Sequence, residues 1–259
     1  SGSCNDEEMV EILPIDHRCI FAGSQRTVTR FLLLLHELSY AFQHWKGRTM
    51  ILFYAAGASS LAPHILLREA GLSFTLEPVD LSAGRWSGGD FAAINPKSYV
   101  PALKLGDGEV LTECAVILQF IADQARERAL MPAFGTMERY RAMEWLNYIA
   151  TELHKNFITP ERHGDRAANF LAKTATGQTA TRTLVSPRLA FVDCALEGRA
   201  FLMGSHFTAP DAYLFAMLTW AGRLDLDLAG WPNLERYFAR LAPRPAVLET
   251  MSIEGRHIP

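Results

Sequence analysis

Between Ile51 and Val79 the chain carries one unit that leaves few folding options. Ile51 to Tyr54 is a short apolar run suited to a buried strand, and Ala55-Ala56-Gly57-Ala58-Ser59-Ser60 behind it is small enough for a tight turn. Helical spacing follows from about Ser60 to Ala70, with Pro63 tolerated in the first turn and Gly71 as terminator. Phe74 to Val79 is a second strand, and two strands joined by a single helix pair in parallel. Val100 to Leu105 and Glu109 to Leu111 flank Gly106-Asp107-Gly108 and read as a hairpin. Thr112 is then the expected N-cap of a helix reaching Gln124 through Ala115, Val116, Ile117, Phe120 and Ile121.

Composition narrows the classes. With 259 residues, 49% hydrophobic and 20% charged, the chain can bury a substantial core, and a formal net charge of −3 gives no reason to expect a nucleic-acid partner. Cys4, Cys19, Cys114 and Cys194 are scattered, with no CxxC pair and no Cys/His spacing suited to zinc, so free thiols, no metal and a reducing, cytoplasmic compartment are expected. Neither a Walker-type nor a dinucleotide-binding glycine fingerprint is present. Residues 1–48 read as an N-terminal extension with an acidic start, either disordered or a short helix; its apolar run Phe31 to Leu35 is too short to span a bilayer, and Leu33 to Phe42 suits a short amphipathic helix packed on the body.

Residues 49–128 form the first expected domain, and the order βαβ, long loop, ββα is that of a thioredoxin-like α/β fold. Beyond a linker at Ala125 to Gly135, residues 136–259 read as an all-α domain. Met143, Leu146, Ala150, Leu153 and Phe157 make one apolar stripe, with Asn147, Thr151 and His154 as a polar row beside it. Helices are expected at Arg188 to Leu196 and Ala209 to Gly222, the latter opened by a Thr208/Asp211 capping box. Pro187 and the Thr-rich stretch Lys173 to Thr183 should interrupt helix there, and Trp220 and Trp231 belong to the core.

Four stretches in order resemble the bacterial beta-class glutathione transferases: Phe53-Tyr54 to Ser59-Ser60-Leu61, Asn95-Pro96-Lys97 to Val100-Pro101-Ala102-Leu103, Leu111-Thr112-Glu113, and Trp145-Leu146-Asn147 to Glu152-Leu153-His154-Lys155. The likeness covers Met50 to about Ala246. It implies glutathione as cosubstrate, a small hydrophobic electrophile as second substrate, a homodimer and no membrane partner. It also implies a cis Pro101 that turns the Val100 backbone toward the cysteinyl unit of glutathione. The γ-glutamyl carboxylate would meet the Cys114 N–H at a helix N-terminus and its ammonium would meet Glu113.

The sharpest departure is Ser59, where the resembled enzymes carry a cysteine; a hydroxyl cannot exchange with disulfides, so reductase chemistry of that kind is expected to be weak or absent. Ser60, or Ser59 if the loop is rotated, would instead donate a hydrogen bond to the glutathione sulfur and favour its thiolate. A competing expectation is that one of them caps the helix. Tyr54, at the strand end, is a weaker candidate near the thiol. Arg85 stands in a loop where the family often has lysine, and Tyr99 where it often has glutamine. By the same resemblance Asn147 and Thr151 would meet glutathione across the dimer interface, with His154 and Lys155 near the thiol and electrophile. Transfer of glutathione to alkyl or aryl electrophiles, possible alongside peroxide reduction, is the leading reading. A non-catalytic glutathione-binding or stress-related protein is the alternative.

Overall fold

The computed structural model describes residues 49–158, 171–172 and 174–257, so the expected N-terminal extension and Lys173 lie outside the described residues. The chain enters through β1 (Met50–Tyr54), crosses over by α1 (Leu61–Ala70) and returns in parallel as β2 (Phe74–Asp80), with Met50 opposite Phe74 and Tyr54 opposite Pro78. Gly71 ends α1 in the left-handed region at φ 66°, where the lack of a Cβ removes the steric cost.

Two very short strands, β3 (Arg85–Trp86) and β4 (Gly89–Asp90), extend the sheet beyond β2. This hairpin was not expected from the sequence; two-residue strands are below the length at which alternation shows. Trp86 anchors it by meeting Phe53 edge-on at 5.1 Å. The anticipated second hairpin is β5 (Ala102–Lys104) with β6 (Val110–Thr112), closed by Leu105 N–H on the Glu109 carbonyl at 2.7 Å. The full order β4-β3-β2-β1-β5-β6 is the mixed sheet of a thioredoxin-like domain.

Helix α2 (Cys114–Gln124) packs with α1 on this sheet. Thr112 is not its N-cap: it is the last residue of β6, and Glu113 holds the cap position with φ 70° and no side-chain capping bond. The strand simply continues one residue further than the helical pattern suggested.

The second domain is all-helical. α3 (Met137–Tyr148) is capped by Thr136, whose Oγ1 accepts from the Arg139 N–H at 3.2 Å, and Arg139 grips Asp123 through two 2.8 Å bonds across the linker. The chain then widens into a π turn over Ile149–His154 before one more turn, Lys155–Phe157. That inserted turn moves the stripe: Ala142, Leu146, Ile149, Leu153 and Phe157 are fully buried, whereas Met143 and Ala150 are half-buried.

α4 (Ala175–Ala195) runs unbroken through Pro187, contrary to the expected interruption. Thr174 caps it through the Gly177 N–H, and the hydroxyls of Thr181, Thr183 and Ser186 bond the carbonyls four residues back, which satisfies them within the helix. Buried Val185, Leu189 and Val192 hold it on the core.

α5 (Ala209–Arg223) is the central helix, buried from Ala209 to Ala221. Its capping box is formed, and the buried Asp211 carboxylate also accepts from the Leu202 N–H and the Tyr237 hydroxyl, both at 2.9 Å. α6 (Pro232–Leu241) and α7 (Pro245–Ile253) complete the layer. Trp220 is core as expected, but Trp231 is only half-buried, at the start of α6.

Candidate functional site

The corner between β1 and α1 collects the small residues, and their size is what brings three backbone segments together there. Ser60 is completely buried; its Oγ donates to the Ala55 carbonyl and accepts from the Ala55 N–H, both at 3.2 Å. This hydroxyl is spent on closing its own loop, which removes the preference for Ser60 as the group facing a ligand sulfur. It does not cap α1 either, since no side-chain capping bond is made there.

Ser59 points the other way. Its Oγ donates to the Val100 carbonyl at 3.2 Å, and its own carbonyl lies 3.7 Å from the Cys114 Sγ. The Val100-Pro101 peptide is cis, and the loop before it is braced by Asn95, whose Nδ2 donates to the Tyr99 carbonyl at 2.7 Å. Tyr99 projects into solvent at 58% exposure. Among the described residues the Val100 N–H has no hydrogen-bond partner.

Across from Val100, α2 begins at Cys114 with its first N–H groups uncapped. Those donors and the positive end of the helix dipole favour a carboxylate. The exposed Glu113 beside them supplies a negative charge for a cation, and Lys97 Nζ pairs with it. An extended peptide with a free amino-acid end therefore finds a backbone edge, an anion seat and a cation seat within one corner.

Cys114, the one cysteine at this corner among the described residues, is buried. Burial pushes its thiol well above the ordinary range, so it is protonated at neutral pH and inert toward disulfides. Tyr213 stands beside it, its hydroxyl 2.7 Å from Nδ1 of His154. His154 is half-buried, edge-on to Tyr213 and to Trp220 with ring centroids 5.0 Å apart in the latter case. It has left the expected polar row, because the π turn rotates it toward α5.

Asn147, Thr151 and Lys155 remain on the exposed face, where Thr151 Oγ1 donates to the Asn147 carbonyl at 3.0 Å. Arg85 is exposed on β3. Tyr54 is half-buried, its ring 6.1 Å from that of His64, and its hydroxyl pKa is raised by desolvation and by Glu254.

Sequence reading missed the residues that hold this corner from the helical domain. Trp220 Nε1 and Arg223 both donate to the Gly57 carbonyl, at 2.9 and 3.2 Å, while Glu254 accepts from the Gly57 N–H at 2.8 Å. The other Glu254 oxygen meets Nδ1 of His64 at 2.8 Å, with both side chains fully buried. These partners lie more than 160 residues apart in the chain, beyond any local pattern. Among the described residues no group of three or more His, Cys, Asp or Glu could hold a metal ion.

A thioredoxin-like α/β domain with a cis-proline edge, packed against a helical domain that reaches into its first loop, defines the class of fold. Comparison with known proteins is in accord. Residues 58–124 match the family model described as glutathione S-transferase, N-terminal domain, and residues 145–245 match its C-terminal domain. The chain is 43% identical over 207 residues to glutathione S-transferase GstA of Escherichia coli O157:H7, covering 80% of this chain and 99% of that one. Among solved structures, it is 39% identical to a sphingomonad glutathione S-transferase complexed with glutathione (TM-score 0.72; 79% of this chain, 98% of that one). A bacterial beta class glutathione S-transferase from Sphingomonas chungbukensis is 40% identical (TM-score 0.71; 79% and 98%). The chain belongs to the glutathione S-transferase family.

Proposed function

We propose that this protein is a homodimeric, cytoplasmic glutathione transferase that activates the glutathione thiol with Ser59 and joins it to small hydrophobic electrophiles. The observation that carries this reading is the convergence of the Ser59 hydroxyl, the Val100 backbone and the uncapped start of α2. The cysteinyl N–H and C=O of glutathione pair with Val100, the γ-glutamyl carboxylate takes the Cys114 N–H, and Glu113 takes the ammonium. A carbonyl has two lone pairs, so Val100 can accept from the ligand while the Ser59 hydroxyl rotates off it to donate to the sulfur. That bond stabilises the thiolate; the thiol proton leaves to solvent. The sulfur then attacks the electrophilic carbon, a C–S bond forms and the leaving group departs with its electron pair.

The protein contributes position and a lowered thiol pKa, and glutathione brings the nucleophile. Arg85 is assigned to the glycine carboxylate. Asn147 and Thr151, both exposed, are assigned to glutathione held by a second copy, with Lys155 near the electrophile. His154 borders the thiol as a hydrogen-bonding group oriented by Tyr213. Tyr54 keeps a structural role at the end of β1.

The test is retention on immobilised glutathione together with conjugation of a generic aryl halide, for the parent, Ser59→Ala and Ser60→Ala. The reading expects the parent to bind and turn over, and Ser59→Ala to bind with turnover reduced by on the order of tenfold or more. Binding without turnover in the parent would favour a non-catalytic glutathione-binding protein, a reading that the serine at position 59 keeps in play. Neither binding nor turnover would defeat the glutathione assignment.

A further inference from the structure

Lys97 connects the two halves of the corner. Its backbone is fixed in the loop ahead of Val100 by the Lys97 N–H on Asn95 Oδ1 at 3.2 Å. Its ammonium reaches across to β6 and α2, donating to Thr112 Oγ1 at 2.9 Å and pairing with the Glu113 carboxylate. A second exposed pair among the described residues, Arg141 with Glu144, is a local contact one helical turn apart. Lys97 and Glu113 instead come from separate elements sixteen residues apart and meet at the place where a peptide's amino end would lie.

We infer that Lys97 is a specificity-determining residue: its ammonium holds the cation seat on Glu113 in the empty site, and a ligand's α-ammonium takes that seat by exchange. The inference rests on the proposed glutathione reading. Glu113 adjoins the α2 N-terminus, so an unpaired carboxylate there would repel the ligand's own carboxylate from its donors. Lys97 removes that repulsion. It thereby makes the empty site tolerant of ligands that bring a carboxylate and no amine, and makes true α-amino acid ends compete for Glu113. Selectivity for the γ-glutamyl end is therefore lower than the residues at the seat would otherwise give.

An exposed ion pair contributes about 0.2–1 kcal/mol, equivalent to up to about fivefold in affinity, which bounds the effect. The experiment is calorimetric titration of the parent, Lys97→Met, Lys97→Arg and Glu113→Gln with glutathione and with its deaminated analogue, in which hydrogen replaces the γ-glutamyl amine. Lys97→Met is expected to bind glutathione about threefold more tightly and the analogue about threefold more weakly, widening the ratio of the two roughly tenfold. Lys97→Arg, which grips a carboxylate more firmly, should weaken glutathione relative to the parent. Arginine would restore parent affinity if the side chain merely braced the loop.

Weaker glutathione binding by Lys97→Met would overturn the inference, since it would make Lys97 a supporting contact to the ligand. An unchanged ratio across the Lys97 variants would overturn it too. The underlying reading is judged separately. If the parent and Glu113→Gln distinguish the two ligands equally, Glu113 is not the cation seat, and if the parent binds neither, the glutathione site itself falls; both results take the inference with them.

Discussion

Two adjacent serines divide their work by direction. The Ser60 hydroxyl closes the loop on Ala55, whereas Ser59 faces Val100 and the uncapped helix start. Replacing Ser60 by Ala leaves the half-buried Ala55 N–H and carbonyl short of a partner, so stability should fall by about 1 kcal/mol in denaturant unfolding while glutathione affinity at low temperature persists. Replacing Ser59 removes the buried donor to the Val100 carbonyl, so it should cost about 0.5–1.5 kcal/mol of stability and, in the still-folded protein, lower turnover. A Ser59→Cys variant should gain thiol–disulfide exchange, detectable as a mixed disulfide with glutathione by intact mass, because a cysteine at the start of α1 has the helix dipole to lower its pKa. Cys114 offers no such activity in the parent, being held protonated by burial.

Among the elements, α4 carries a proline it does not need for shape. Pro187 lacks the N–H that would reach the Thr183 carbonyl, so Pro187→Ala should raise the melting temperature, by the equivalent of about 1–3 kcal/mol, without altering helix content. The start of α5 depends on Asp211, whose pKa burial raises above the ordinary value of 3.8 against the opposing hydrogen bonds from Leu202, Thr208 and Tyr237. A carboxylate with a raised folded-state pKa binds its proton more readily folded than unfolded. Its contribution to stability is therefore greatest below about pH 3.8 and declines as pH rises through the folded value. Urea titrations of the parent and Asp211→Asn over that window should show the decline in the parent alone, with the variant less stable at neutral pH by at least about 1 kcal/mol.

Periodicity and turn chemistry made the βαβ unit, the β5–β6 hairpin, the capping box and α5 readable, since each is written in neighbouring residues. The β3–β4 hairpin was too short to show a period. The π turn at Ile149–His154 broke the assumed spacing and so misplaced His154, and in α4 packing through buried Val185, Leu189 and Val192 overrode the weak helix propensity of the Thr-rich stretch.

Across the whole molecule, the helical domain is part of the site because it fixes the Ala55 to Ser59 loop. Glu254 joins the Gly57 N–H to His64, and Trp220 and Arg223 hold the Gly57 carbonyl. None of these contacts was legible from the chain, because each partner is meaningful only once the domains have met. Glu254→Ala leaves the buried His64 Nδ1 and Gly57 N–H without their acceptor, which should cost about 2–4 kcal/mol in unfolding and weaken glutathione binding before the global transition on heating. The central claim is that Ser59 lowers the pKa of a thiol laid along Val100. The direct measurement is the ultraviolet thiolate absorbance of bound glutathione, titrated against pH in the parent and in Ser59→Ala. The thiol pKa should lie below that of free glutathione in the parent and return by at least about one unit toward the free value in the variant. Identical titrations in the two proteins would contradict it.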